Sequence, residues 1–118
     1  MTQEDKELLL KDLCARLPYG VKVQDELGRI NKLVIGNNDL IRLFYNDFSI
    51  YSEEKLSLPY LFPLSSMTEE QKEERKGYTI VGGGWTNDGF DWLNKNHFDY
   101  RGLIPMGLAI DATNLNIY

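Results

Sequence analysis

The chain has 118 residues, 42% hydrophobic and 12% aromatic, enough to fill the core of one folded domain spanning 1–118. Lys and Arg total 13 against 18 Asp and Glu, a formal net charge of −5. That balance argues against direct nucleic-acid binding and against an anionic membrane surface, and it is ordinary for an acidic soluble protein.

The opening MTQEDKE carries no apolar secretion segment, and no apolar run approaches membrane-spanning length. The expected home is the reducing cytoplasm, where the single Cys14 forms no internal disulfide. Cys14 falls among Leu10, Leu13 and Leu17, a placement that predicts a small core residue rather than a reactive thiol.

Residues 2–17 read as an amphipathic helix. Thr2 and Asp5 have capping-box spacing, and Glu4, Asp5 and Glu7 place negative charge in the first turns, where the helix dipole favours it. Leu9, Leu10, Leu13 and Leu17 supply the apolar stripe, with Lys6, Lys11, Asp12 and Arg16 assigned to the other side. Pro18 stops the helix and Gly20 redirects the chain.

The period then changes. VKV, RINKLVIG and DLIRLFY, separated by turn signals at LG (27–28) and GNN (36–38), predict a three-stranded antiparallel meander at about 20–26, 29–36 and 39–46. FSIY suits another short strand and EEKLS an exposed segment. In LPYLFPLSSM, Pro59 and Pro63 argue against a regular helix or central strand, so an apolar loop lying on the core is expected, with serines satisfying its backbone.

Thr68 and Gln71 form a second capping box, opening a short charged surface helix that ends at Gly77. YTIV at 78–81 reads as a strand broken by Gly82–Gly84, a run that gives backbone freedom for a bulge or a mobile connection. A further helix is expected from Asp88, as N-cap, to about Asn96, with Phe90, Leu93 and Phe98 as core contacts.

The residues offer little chemistry. One His and one Cys make a zinc site improbable, NDGFD at 87–91 lacks the ligand pattern of a calcium loop, and Gly82–Gly84 has neither the lysine nor the spacing of a phosphate loop. No cofactor is expected. His97 could join Asp99 and Ser65 or Ser66 in a triad, but no glycine elbow supports it, and a His near a helix end has the simpler task of capping carbonyls. Tyr100 and Arg101 are read as bonding backbone carbonyls or Asp99. Gly102 and Pro105 shape a turn, and Leu103, Ile104, Met106, Leu108 and Ile110 dock the segment. The candidate binding residues are thus Trp85, a possible exposed aromatic after the glycines, and the cluster His97, Asp99, Tyr100 and Arg101, with no catalytic or metal-ligating residue assigned.

Three phrases, KELLLKDLCARLPYGVKV (6–23), LPYLFPLSSMTEEQ (58–71) and DWLNKNHFDYRGLIPMGLAIDAT (91–113), resemble a family of small uncharacterised proteins from gut anaerobic bacteria and their phages or integrated elements. The resemblance implies a context, that of a cytoplasmic accessory protein of phage origin, and carries no activity or site residue with it.

The expected fold is α+β: a small, mainly antiparallel sheet, with a three-stranded meander plus one or two extra strands and helices packed on one face. The expected function is a non-enzymatic protein-binding or adaptor module with a protein partner. The competing readings are a small-molecule-binding or hydrolytic module using a pocket near His97, and an acidic nucleic-acid mimic that blocks a host defence protein.

Overall fold

The computed structural model describes residues 2–24, 28–33 and 58–118, which divide into two compact units at the Tyr60–Leu61 bond. The fold is α+β, with mixed, mostly antiparallel strand pairing. The predicted third meander strand at 39–46, the GNN turn, FSIY and EEKLS lie outside the described residues.

The first unit opens with α1 (Gln3–Arg16). Both halves of its capping box form: Thr2 Oγ1 accepts from the Asp5 amide at 3.1 Å, and the Asp5 carboxylate accepts from the Thr2 amide at 3.3 Å. Leu9, Leu10 and Leu13 are buried as expected. Asp12 and Arg16, assigned from sequence to the solvent face, are fully buried and joined by a 2.8 Å Arg16 Nε–Asp12 Oδ2 ion pair. They follow Leu9 by three and seven residues, so helical geometry puts them on the Leu9 stripe; residue type alone sent them outside.

Cys14 departs from expectation in the opposite sense. It is exposed, although partial desolvation still raises its thiol pKa above the ordinary value, which disfavours the thiolate.

A 3-10 turn at Leu17–Tyr19 follows, with Pro18 near its start and Gly20 closing it at φ 70°. Strands β1 (Lys22–Gln24) and β2 (Ile30–Lys32) then pair antiparallel with Val23 opposite Asn31, the first two strands of the predicted meander. Gly28, in the predicted LG turn between them, adopts φ 78°.

The Pro-containing segment is a strand after all, β3 (Leu58–Pro63), leading into a 3-10 turn at Leu64–Ser66. In the first unit Leu58 and Pro59 pair with Gln24 and Val23. In the second unit Phe62 and Pro63 pair in parallel with β4 (Phe98–Asp99), and Leu61 accepts from the Ala112 amide beside β5 (Ile110–Asp111). Alternation reconciles this with the prolines. Residues of one parity face one strand edge, so Pro59, Leu61 and Pro63 share an edge at which Leu61 serves as acceptor. Phe62, of the other parity, donates its N–H to the His97 carbonyl at 2.8 Å. Pro63 at φ −60°, ψ 147° is itself extended.

Helix α2 (Glu69–Arg75) has the predicted reciprocal capping box between Thr68 and Gln71 and contributes no buried residue. YTIV does not form the predicted strand. Only an isolated Thr79–Trp85 bridge pairs there, within a tight hairpin closed by Thr86 N–H to the Tyr78 carbonyl and Ile80 N–H to the Gly84 carbonyl. Gly82, at φ 106°, occupies the third position of the Ile80–Gly83 turn, where a side chain would be strained. The glycines therefore set a defined reversal that leaves Ile80 and Val81 exposed, 55% and 106%.

Helix α3 (Asn87–Lys95) is capped by Thr86, whose hydroxyl accepts from the Gly89 amide and donates to the Tyr78 carbonyl; Asp88, the residue expected to cap, lies in the first turn. Its buried stripe is Gly89, Trp92 and Leu93. Phe90, predicted to be core, is 38% exposed and rests on the Tyr100 ring. Trp92, Leu93, Phe98 and Met67 form the core of the second unit, with Phe62, Tyr78, Trp85 and Tyr100 packed around it. Each such side chain, fully buried, contributes about 1.5–3 kcal/mol.

Two predictions test this packing. Arg16→Ala, which removes the cation of the buried Asp12–Arg16 pair, is expected to destabilise the protein by about 3–5 kcal/mol in chemical denaturation, while the apolar pair Asp12→Leu with Arg16→Met costs much less. Gly89→Ala places a Cβ 2.6 Å from the Tyr78 carbonyl oxygen and is expected to cost about 1–3 kcal/mol, read as a lower melting temperature.

Candidate functional site

The cluster His97–Arg101 begins where α3 ends. Asn96 terminates the helix, and His97 takes the left-handed conformation, φ 61°, in the position where glycine is commonest. Its amide donates to the Asn94 carbonyl at 3.2 Å, so the backbone of this residue makes the helix-end bond expected of its ring. The buried imidazole instead lies face-on against Tyr118, with ring centroids 3.8 Å apart and planes inclined by 15°.

Asp99 acts on the chain that follows it. One carboxylate oxygen accepts from the Leu103 amide and the other from the Ile104 amide, both at 2.9 Å. This arrangement charges the bonds and fixes the reversal at Gly102, φ 75°, that carries Leu103 into the interior. Leu103 and Leu108 are buried, whereas Met106, expected to dock, is half exposed.

Tyr100 donates its hydroxyl to Asn94 Oδ1, and Arg101 donates to that same hydroxyl while its guanidinium lies 4.8 Å from the Tyr100 ring centre. Asp99, one of the partners expected for Arg101, is occupied by backbone amides, and the neighbouring Tyr100 hydroxyl receives a guanidinium N–H. Trp85 is half-buried and stacks on Trp92 at 6.3 Å.

Several polar atoms of the cluster are held by the scaffold. The Asp99 oxygens face backbone amides, Arg101 folds back on Tyr100, and the Ser66 hydroxyl donates to the Pro63 carbonyl at 2.6 Å. A nucleophile–base–acid relay needs these same groups aimed at one another.

The second unit also holds a cavity of about 230 Å³ lined by Phe62, Ser66, Thr68, Gln71, Phe98 and Thr113. Phe62 and Phe98 meet edge-on in its wall, 6.4 Å between centroids. Sequence reasoning had used Thr68 and Gln71 only as a helix start and Phe62 only as loop packing. No motif marks the cavity, because its lining comes from β3, the 3-10 turn at Leu64–Ser66, the start of α2, β4 and the turn after β5, segments separated along the chain. Among the described residues, no group of three or more His, Cys, Asp or Glu is placed to hold a metal ion, and no helix is long and apolar enough to cross a membrane.

Comparison of the chain with protein-family models, with curated proteins and with solved structures returns no match.

Asp99→Asn tests the role given to the carboxylate. The carboxamide offers one acceptor and sets its own donor against a backbone N–H, so a loss of about 1–3 kcal/mol is expected in denaturant melts, together with faster amide exchange at Leu103 and Ile104. Unchanged stability and unchanged exchange at those two amides would remove the clasp from the account.

Proposed function

We propose that the protein is a non-enzymatic binding or adaptor module that recognises a protein partner, acting in the cytoplasm in a phage or mobile-element context. The observation that carries the reading is the hairpin tip. Ile80 and Val81, two β-branched apolar side chains, stand in solvent on a turn whose shape is fixed by Gly82 and Gly83 at φ 106° and 96°. Backbone bonds from Ile80 to Gly84 and from Thr86 to Tyr78 hold the loop, so binding there costs little additional ordering. Exposed apolar side chains presented on a preordered turn favour contact with another protein's apolar surface.

The engagement of Asp99, Tyr100 and Arg101 within the scaffold supports recognition over catalysis. The resemblance of residues 58–71 and 91–113 to the phage-associated family supports the context. Helix α2 and its C-cap Lys76 interleave Lys72, Arg75 and Lys76 with glutamates and form Lys72–Glu69 and Lys76–Glu73 ion pairs, a mixed face that favours protein contact over mimicry of a polyanion.

Affinity capture from host lysate tests the proposal, using the wild-type chain and an Ile80→Ser/Val81→Ser variant as baits. The expected result is a defined partner retained by the wild type and lost by the variant, with far-UV circular dichroism and melting unchanged. Equal retention by both baits, or no partner with either, would overturn the assignment to this tip.

A further inference from the structure

The cavity in the second unit has a chemistry of its own, independent of the hairpin. Its volume of about 230 Å³ is several times the roughly 30 Å³ that one water occupies in the liquid, and below the roughly 300–1,000 Å³ of pockets that take drug-sized molecules. That size suits a single ring bearing one polar substituent. None of the six lining side chains is ionisable, so nothing there selects a charged ligand or compensates its desolvation. Phe62 and Phe98 supply apolar surface, and the other four residues supply neutral hydrogen-bonding groups.

The internal bonds of those four residues define what they can still offer. Gln71 Oε1 accepts from the Thr68 amide at 2.9 Å, leaving the two Nε2 protons as the carboxamide's remaining donors. Thr68 Oγ1 accepts from the Gln71 amide at 3.1 Å, so its own proton remains for donation. Ser66 commits its proton to the Pro63 carbonyl and Thr113 commits its proton to Asp111 Oδ1, leaving oxygen lone pairs on each. The rim thus carries donors on one element, the start of α2, and acceptors on two others.

A neutral primary amide has the complementary pattern, a carbonyl acceptor and an N–H donor side by side, and an attached ring would meet Phe62 and Phe98. We propose that this cavity is a binding site for a small, uncharged aryl amide, with the carbonyl received by Gln71 Nε2 and Thr68 Oγ1 and the amide N–H by Ser66 or Thr113. The site uses side chains only and makes no demand on the backbone amides of α2, two of whose capping positions are already bonded.

Titration of the ¹⁵N-labelled full chain with benzamide, followed by amide chemical shifts, tests the assignment, with toluene as the purely apolar control. Saturable shifts confined to Phe62, Ser66, Thr68, Gln71, Phe98, Thr113 and their chain neighbours are expected with benzamide, and weaker ones with toluene. Gln71→Glu keeps the acceptor of the capping box but replaces the Nε2 donors with a carboxylate, and is expected to weaken benzamide roughly tenfold or more. Thr113→Val, outside the helix, removes an acceptor and is expected to weaken it several-fold, which keeps the test intact if Gln71→Glu disturbs α2. No saturable shift up to the solubility limit of benzamide overturns the site. Equal binding of toluene, or indifference to both substitutions, overturns the polar recognition.

Discussion

The second unit turns on the carboxylate of Asp99. Two backbone amides, those of Leu103 and Ile104, point at its two oxygens, and a charged acceptor makes both bonds stronger than neutral ones. With that reversal fixed, Leu103 and Leu108 enter the interior and the chain returns at β5, where the Ala112 amide meets the Leu61 carbonyl of β3. The strand pairing of β3 with β4 and the packing of Trp92 on Phe98 lie on the same short path of chain. One acidic side chain in a loop therefore performs what a regular element would otherwise do, holding a backbone that has no ladder of its own.

The polar side chains on either side of Asp99 are likewise bonded within the unit. Asn94, Tyr100 and Arg101 form a chain of partly buried contacts, hydroxyl to carboxamide and guanidinium to hydroxyl. Each bond satisfies a polar group that packing has drawn toward the interior, where an unpaired one would be costly. Two other features of the unit are made by shape: a hairpin tip carrying the exposed Ile80 and Val81, and a cavity lined in part by Phe62 and Phe98.

Several elements could be read directly from the residues, and the reason is common to them. The caps at Thr2 and Thr68, the stop at Pro18, the turn at Gly28 and the first two strands all depend on neighbours a few positions away, which the sequence places side by side. The misread residues depend on something else. Asp12 and Arg16 satisfy one another four positions apart, so their burial required weighing helical position over residue type. The cap of α3 fell to Thr86 because the Tyr78 carbonyl, eight residues earlier, takes its hydroxyl proton and fixes it there, leaving Asp88 inside the first turn. Phe90 left the core because Gly89, without a side chain, lets the helix approach Tyr78 closely on the adjoining stripe.

The sequence by itself determined the α+β class, the helix starts at Thr2 and Thr68 and the glycine turns at Gly20 and Gly28, since each rests on local stereochemistry or on composition. Only the tertiary structure decided that a segment with two prolines is a strand, that Asp99 bonds backbone amides, and that six residues from separate segments line one cavity. Those outcomes are set by which distant backbone edges meet. Spacing along a chain records the reach of a turn, and carries no measure of partners brought together by strand pairing.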